Sequence, residues 1–175
     1  LVGSEMCIRD RYSYLRVPFI TVSKSTMRDL INAGVPSNRI HIVPNGTNIN
    51  PIENIDDAQR EKNPTIIFIG RLQRSKGVFE VIKAYKFVKK EVPNAQLWII
   101  GDGYLKPTLE KIAKKTRGIT IFGRVDDRVK EALLKKAHIL VAPSVREGWG
   151  QVVIEANACG VPVVAYDVPG LRDSI

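Results

Sequence analysis

The segment "EGWGQVVIEANACG", residues 147–160, places a carboxylate inside a pattern that otherwise predicts a buried helix face. Glu155 lies at the edge of the apolar stripe that contains Val152 and Val153, given the 3.6-residue helical repeat. A carboxylate only accepts hydrogen bonds, so the two hydroxyls of a cis-diol could satisfy it. The predicted helix begins near Gly150, about 7.5 Å along the axis from Glu155, and an open helix N-terminus attracts anions. This spacing suits a ribose and its diphosphate, and therefore predicts a nucleotide site.

Glycine and basic residues follow other apolar runs of the sequence. Gly70 ends the run "TIIFIG", with Arg71 and Lys76 just after it, and Gly123 and Arg124 stand at the end of a later run. If these runs are parallel strands, their carboxyl ends share one edge of the sheet, where such sheets bind ligands. Arg71 and Lys76 are therefore predicted to neutralise phosphate groups. Glycine alone does not distinguish a binding loop from an ordinary turn.

Five short apolar runs alternate with amphipathic helical segments after residue 64. The runs are "TIIFIG", "QLWIIG", "ITIFG", "HILVAP" and "VPVVAY". The stripes expected to be buried include Val78, Val81, Ile82, Tyr85 and Val88, then Val129 and Leu133, and nearer the N-terminus Met27, Leu30 and Ile31. Because no hairpin signal joins the runs, the pattern predicts a parallel sheet with helices on both faces. The predicted fold class is α/β, a doubly wound, Rossmann-like parallel sheet.

The sequence is predicted to divide into four segments. Residues 1–11 continue no periodic pattern and lack the apolar core of a signal peptide, so they are interpreted as a non-native leader. Residues 12–47 show a strand, helix and strand pattern. Residues 48–64 are polar, with several Asn and Asp, and form a predicted linker. Residues 65–175 carry the five strands and form the predicted ligand-binding domain.

Composition argues against several classes of protein. The chain has 175 residues, 44% hydrophobic content and a net charge of +9. Three pairs of lysines end predicted helices, where cations complement the helix dipole. These pairs are Lys89 and Lys90, Lys114 and Lys115, and Lys135 and Lys136. No basic stretch is interleaved with aromatic residues, so nucleic-acid binding is not expected.

No apolar run approaches the roughly 20 residues of a membrane span. Cys7 and Cys159 lack metal-ligand spacing, which fits a cytoplasmic protein.

A dinucleotide oxidoreductase is the first alternative that the sequence can test. The stretch "GDGYLK" supplies Gly101 and Gly103 of a G-x-G-x-x-G fingerprint, but Lys106 occupies the place of the third glycine. The fingerprint therefore fails. His41 and His138 lie at or in apolar strands, and we expect packed or edge histidines there rather than catalytic bases.

Glu147 and Glu155, in "EGWGQVVIEANACGVPVVA", resemble the E-x7-E motif of retaining glycosyltransferases of the GT-B fold, family four. Four segments that lead up to this motif occur in the same order as in that family. They are "FIGRLQRSKG", "LWIIGDGYLKPTLEKIA", "ITIFGRV" and "LVAPSVREGWG". The segment "VSKSTMRDLINAGVPSNRIHIVPNGTN" is similar to the end of the family's N-terminal domain. One departure is Trp149, where the family usually has Phe; it keeps an aromatic side chain.

The resemblance implies a role for each matching residue in the E-x7-E segment. It makes Glu155 the ribose ligand and places Glu147 near the hydroxyls of the donor sugar. The backbone of Gly148, Trp149 and Gly150 would contact sugar and phosphate.

The resemblance implies further roles at the ends of the other strands. Arg71 and Lys76 would stabilise the diphosphate leaving group through their charge, beside Gly70. Backbone near Arg124 and Val125 would recognise the base. Neither a metal nor a separate cofactor is implied.

For the whole chain, the resemblance implies transfer of a hexose from a nucleoside-diphosphate sugar to a glycan or lipid-linked acceptor, with retention of anomeric configuration. Residues 12–47 would be a remnant of the acceptor domain, and the chain is expected to be a fragment that is inactive alone. Contact with the cytoplasmic face of an anionic membrane is a further expectation. Two alternatives stay open: a nucleotide-sugar epimerase of the GT-B fold, and a non-catalytic nucleotide-sugar-binding module.

Overall fold

The computed structural model describes residues 17–52 and 60–175. The predicted leader at residues 1–11, with Cys7, lies outside these ranges, as do residues 53–59 of the predicted linker. Within the described ranges, no helix is both long and apolar enough to cross a membrane.

A parallel pair of short strands forms the first unit. Strand β1 (Phe19–Thr21) leads into helix α1 (Lys24–Asn32), and strand β2 (Ile40–Ile42) pairs with β1 in parallel. Helix α1 begins after Ser23, whose side-chain oxygen accepts a hydrogen bond from the Thr26 N–H at 3.1 Å. This is the usual way in which a serine caps a helix. The predicted order of strand, helix and strand is confirmed.

Parallel strands and helices alternate in the second unit. In chain order they are β3 (Thr65–Ile69), α2 (Val78–Glu91), β4 (Gln96–Ile100), α3 (Lys106–Lys115), β5 (Ile119–Gly123), α4 (Asp127–Lys136), β6 (Ile139–Ala142), α5 (Gln151–Ala158), β7 (Val163–Ala165) and α6 (Leu171–Ser174). Neighbouring strands all pair in parallel, in the order β5-β4-β3-β6-β7. This confirms the predicted α/β fold with a parallel sheet.

Helices cover both faces of the five-stranded sheet. On one face, Tyr85 of α2 and Leu109 of α3 are fully buried together with Leu97 of β4. On the other face, Leu134 of α4 packs in a cluster with Ile67 of β3 and with residues of α5. Burial on both faces explains why the strands are continuous apolar runs rather than alternating patterns.

The helix ends agree with the sequence, whereas the edges of the apolar stripes do not. Each of the three lysine pairs lies in the last turn of α2, α3 or α4. Val88, Val129 and Ile31 were predicted to be buried, but they are exposed to solvent. Helical spacing identifies the apolar side of a helix, but not how the helix is rotated about its axis against the sheet. That rotation decides whether a residue at the edge of the apolar side is buried.

The described parts of the predicted linker pack against the five-stranded unit. The Ile52 N–H donates to the Ala158 carbonyl at the end of α5, at 2.9 Å. The Arg60 guanidinium donates to the Ala137 carbonyl at 2.5 Å and to the Gly160 carbonyl at 2.6 Å. These carbonyls follow the last turns of α4 and α5, where helices leave acceptors unpaired. The position of the domain boundary itself stays a prediction.

The strand order fixes where a ligand crevice forms. From β3 the chain moves outward through β4 to β5, and it then returns to place β6 on the other side of β3. The loops after β3 and β6 therefore lead away in opposite directions, which opens a crevice at the carboxyl ends of these strands. Arg71 and Lys76 follow β3, and residues 143–150 follow β6.

Candidate functional site

Backbone contacts join the loops that follow β3 and β6. The Val145 N–H donates to the Ser75 carbonyl at 3.1 Å. Gly77 has a φ of 72°, and a Cβ at this position would lie 2.3 Å from the Pro143 oxygen. Only glycine permits both this conformation and this close approach. The two sides of the crevice are thus in direct contact at one end.

Two predicted site residues form an ion pair across these loops. The Lys76 ammonium donates to Glu147 Oε1, and the two side chains expose only 19% and 22% of their surface. Partial burial strengthens the attraction because less water screens it. Lys76 has two further N–H donors, and Glu147 has a second carboxylate oxygen. The pair therefore has the capacity to bind a phosphate and a hydroxyl.

The loop between Glu147 and α5 packs against α6. Gly170 has a φ of 86°, and a Cβ there would lie 2.1 Å from the Glu147 carbonyl oxygen. Gly150 caps α5 without a side-chain hydrogen bond, and a Cβ there would lie 2.7 Å from Ser174 Oγ. Gly148 is exposed, and a Cβ there would contact nothing within 4 Å. Packing thus explains Gly150 and Gly170, whereas Gly148 leaves open space.

Trp149 lies half-buried in the same loop. Its indole Nε1 is buried and has no hydrogen-bond partner among the described residues. An unpaired buried donor costs about 1–3 kcal/mol. The loop is therefore less completely hydrogen-bonded than the strands that support it.

Glu155 is buried on α5 and has a protein partner that the sequence did not predict. Its residue exposure is 9%. Lys130 Nζ donates to Glu155 Oε1 at 2.9 Å and lies 3.0 Å from Asp127 Oδ1. No described residue donates to Oε2 of Glu155. Lys130 thus supplies one hydrogen bond to the carboxylate, and a carboxylate can accept about four. The expectation that a ribose diol completes the hydrogen bonding of Glu155 stays a prediction.

Lys130 supplies the positive charge beside this buried carboxylate. Burial lowers the pKa of Lys130, but hydrogen bonds to Glu155 and Asp127 outweigh this effect, and its pKa lies above the ordinary value. Lys130 is therefore a cation at neutral pH. With both carboxylates ionised, the group of Asp127, Lys130 and Glu155 carries one net negative charge.

Gly70 and Arg71 stand at the edge of the crevice after β3. The Gly70 N–H donates to the Ile100 carbonyl at 3.0 Å, so this N–H is not available to a ligand. A Cβ at Gly101 would lie 1.9 Å from the Gly70 oxygen, because the loops after β3 and β4 are in backbone contact. Arg71 is exposed and has no ion-pair partner in the part of the chain that the structure describes. Ligand contacts of both residues stay predictions.

Arg124 and Val125 connect β5 to α4. Val125 packs in the core cluster on the side of α4 and α5, and Asp126 caps α4 by accepting a backbone hydrogen bond at 2.8 Å. Arg124, Val125, Asp126 and Asp127 line a shallow depression. Since Lys130 lies one turn further along α4, this helix joins the predicted base site to the predicted ribose ligand.

The two histidines lie on or beside strands, as the sequence predicts. His138 Nδ1 accepts a hydrogen bond from the Thr65 N–H at 3.1 Å, which confirms a packed histidine, while His41 is exposed on β2. A second depression, lined by residues that include Lys89 and Arg117, lies at the opposite edge of the sheet. Across residues 17–52 and 60–175, no three His, Cys, Asp or Glu side chains form a potential metal site.

Lys130 is absent from the site residues that the sequence predicted. It is the fourth residue of α4, where the positive end of the helix dipole disfavours a cation. Position in a first turn would not have identified it, because Lys24 and Lys106 also begin helices and form no ion pair among the described residues. The sequence carried no signal for the partner on another helix.

The fold and the crevice define a Rossmann-like α/β domain with its candidate site at the switch point of the sheet. Residues 50–175 match the family Glycosyl transferases group 1. This match covers more than half of the chain, and the chain belongs to this family.

Individual relatives agree with this assignment. An uncharacterized glycosyltransferase of Methanocaldococcus jannaschii is 32% identical over 93% of this chain and 45% of its own length. A phosphatidyl-myo-inositol mannosyltransferase of Propionibacterium freudenreichii is 33% identical over 64% of this chain and 28% of its own length. The crystal structure of Anabaena HepE in complex with UDP and glucose has a TM-score of 0.78 at 20% identity, over 97% of this chain and 50% of that chain. The GT-B fold is shared, and the chain spans less than half the length of these curated relatives.

Proposed function

We propose that the chain is the donor-binding domain of a glycosyltransferase that transfers a hexose from a nucleoside-diphosphate sugar with retention of anomeric configuration. The observation that carries the proposal is a pair of partly buried ion pairs, Lys76 with Glu147 and Lys130 with Glu155. They pair the two glutamates of the E-x7-E segment with cations from the segments after β3 and β5. The names of the relatives, which are glycosyltransferases, support the reaction class.

Each group has a role that suits its chemistry. Oε2 of Glu155 accepts a ribose hydroxyl, while the diphosphate lies near Gly150, where an uncapped helix leaves backbone donors. Glu147 accepts hydrogen bonds from the donor sugar. Arg71 and Lys76 offset the charge that grows on the diphosphate as its bond to the sugar breaks. In this proposal those two side chains supply the positive charge without a metal or a separate cofactor.

The remaining contacts concern the base, the sugar and the acceptor. Backbone at Val125 contacts the base, and backbone at Gly148 and Trp149 contacts the sugar. We propose a glycan or lipid-linked acceptor, supported by the relative named phosphatidyl-myo-inositol mannosyltransferase. The net charge of +9 would favour contact with an anionic, cytoplasmic membrane face.

Calorimetric titration tests the donor site. UDP, GDP and ADP are each compared with their 2′,3′-dideoxy analogues. The parent should prefer the ribose form of the better ligand at least about tenfold, or about 1.4 kcal/mol, and Glu155→Gln should lose most of this preference. Glu131→Gln is the matched control, because Glu131 is also ion-paired but lies within α4. Equal binding of both forms by the parent would refute the proposed site.

The reaction itself is tested with a protein that contains this chain and the rest of its reading frame. Nuclear magnetic resonance of the product should show the same anomeric configuration as the donor. Free nucleoside diphosphate with an altered sugar, formed without an acceptor, would indicate an epimerase instead. Donor binding without turnover would indicate a non-catalytic module.

A further inference from the structure

Lys130 links α4 to the predicted ribose ligand on α5. Its Nζ lies 2.9 Å from Glu155 Oε1 and 3.0 Å from Asp127 Oδ1. The side chains of Lys130 and Glu155 expose 18% and 12% of their surface, whereas that of Asp127 exposes 98%. The contact with Glu155 is thus the sheltered one, and the contact with Asp127 faces water.

Lys130 pairs with Asp127 of its own helix on the solvent side, but its more sheltered partner is Glu155 on another helix. Lys135, in the last turn of α4, pairs with Glu131 at 2.6 Å within the same helix, where the helix dipole favours a cation. Lys130 lies in the first turn, where the dipole opposes it. Its favourable interaction with Glu155 is between helices, so it fixes one helix relative to the other.

A fixed carboxylate is better prepared to bind than a free one. Ordering a glutamate side chain costs up to about 1.5–2 kcal/mol of rotamer entropy, and a ligand that meets an ordered partner does not bear that cost. The hydrogen bond from Lys130 orients the carboxylate of Glu155 through Oε1. No described residue donates to Oε2. Lys130 therefore orients the carboxylate through Oε1, and Oε2 can accept a hydrogen bond from a ligand.

We propose that Lys130 is a positioning residue: by holding Oε1 of Glu155 it presents Oε2 to the ribose hydroxyls of a nucleoside-diphosphate ligand. This inference rests on the proposed function and adds α4 to the donor site. The exposed carboxylate of Asp127 forms an ion pair with the same ammonium group of Lys130. Lys130 acts through Glu155 and is not required to touch the ligand.

Titrations with three variants test the positioning role. The variants Lys130→Met, Lys130→Arg and Lys135→Met are each titrated with UDP, GDP, ADP and the 2′,3′-dideoxy analogues of these nucleotides. Lys130→Met should reduce the preference for the ribose form at least about fivefold, while affinity for the dideoxy form changes less than about twofold. Lys130→Arg should retain most of the preference because it keeps the charge. Lys135→Met, the matched control on the same helix, should leave the preference unchanged.

A double variant measures how much the unpaired charge of Glu155 contributes to any loss of stability. Lys130→Met leaves Glu155 buried without its cation, which destabilises proteins. The double variant Lys130→Met/Glu155→Gln removes both charges, so its melting temperature should lie nearer that of the parent. Its preference for the ribose form should nevertheless be lost. Circular dichroism establishes that each variant is folded before titration.

Three results would overturn the positioning role. One is an unchanged ribose preference in folded Lys130→Met, and another is an equal loss of affinity for ribose and dideoxy forms. The third is a folded double variant that keeps the preference of the parent. A parent that binds none of UDP, GDP and ADP would instead refute the proposed function, and the positioning role with it.

Discussion

Arg71 is an exposed cation at the crevice edge with no ion-pair partner among the residues that the structure describes. We expect Arg71→Ala to weaken binding of a nucleoside diphosphate by about 10- to 100-fold, since a charged hydrogen bond contributes about 1.5–3 kcal/mol. Binding of the corresponding nucleoside should change little, because it has no phosphate. Calorimetry with UDP and uridine, or GDP and guanosine, measures the difference.

Arg74→Ala is the matched control for this experiment. Arg74 is also exposed and lies three residues further, in the short 3-10 helix Arg74–Lys76. We expect it to leave binding of the diphosphate unchanged within about twofold, because only residues at the crevice edge meet the phosphates. If Arg71→Ala weakens nucleoside and diphosphate alike, Arg71 supports the fold rather than the phosphates.

Single residues of the candidate site differ in how far the sequence predicted them. Lys76 was predicted from its charge at the crevice edge and Glu147 from the resemblance to the E-x7-E motif, and the structure brings them into contact. Glu155 was predicted at the edge of a buried stripe and is buried. Its partner Lys130 was not predicted, because the contact depends on the packing of α4 beside α5. Hydrogen bonds between helices leave no periodic trace in the sequence.

Gly170 supports the loop after β6 from the start of α6. It has a φ of 86°, and a Cβ there would lie 2.1 Å from the Glu147 carbonyl oxygen. We expect Gly170→Ala to lower the free energy of unfolding by about 2 kcal/mol or more, since strained backbone alone costs about 1–3 kcal/mol. Urea denaturation followed by circular dichroism measures this change.

Gly148→Ala provides the comparison on the same loop. A Cβ at Gly148 would contact nothing within 4 Å, so stability should change by less than about 0.5 kcal/mol, as at other open surface positions. A Gly170→Ala protein as stable as Gly148→Ala would show that the loop moves away from α6 at little cost.

At the scale of elements, the sequence predicted where the strands lie along the chain, but it did not predict which strands pair with each other in the sheet. Continuous apolar runs such as "TIIFIG" and "HILVAP" became β3 and β6. The pairing of β3 with β6 was not predicted, because the direction of each crossover depends on how helices pack. Helix borders show the same limit: Val88 and Val129 have apolar spacing, yet they face solvent.

At the scale of the whole molecule, Asp173 of α6 connects the second unit to helix α1 of the first. The Ser25 N–H at the start of α1 donates to Asp173 Oδ2 of α6 at 3.0 Å. Burial raises the pKa of Asp173, but hydrogen bonds from Ser25 and Gly170 outweigh it, and the pKa lies below its ordinary value. The charged carboxylate therefore stabilises the folded protein.

This contact predicts a dependence of stability on pH. A lowered folded-state pKa stabilises above the unfolded value, about 3.9 for Asp, and that stabilisation is lost as pH falls through the folded value. Asp173→Asn should therefore melt at a lower temperature than the parent at pH 7, and the difference should shrink under acidic conditions near pH 3. Thermal melts across this range measure the effect.

Glu110→Gln is the control for the acid range, because Glu110 is an exposed carboxylate on α3. Its melting temperature should follow that of the parent at each pH. A constant difference between Asp173→Asn and the parent, from neutral to acidic pH, would mean that Asp173 stabilises the protein without its charge.

Arg60 has a consequence for how the molecule opens. Its guanidinium joins the Ala137 and Gly160 carbonyls beyond the ends of α4 and α5, while Lys130 and Glu155 join the same helices nearer their starts. We expect two helices that are joined at two separate points to open as one unit in amide hydrogen exchange. Amides of α4 and α5 then share one opening free energy, and a ligand bound only to α5 slows exchange throughout α4 as well.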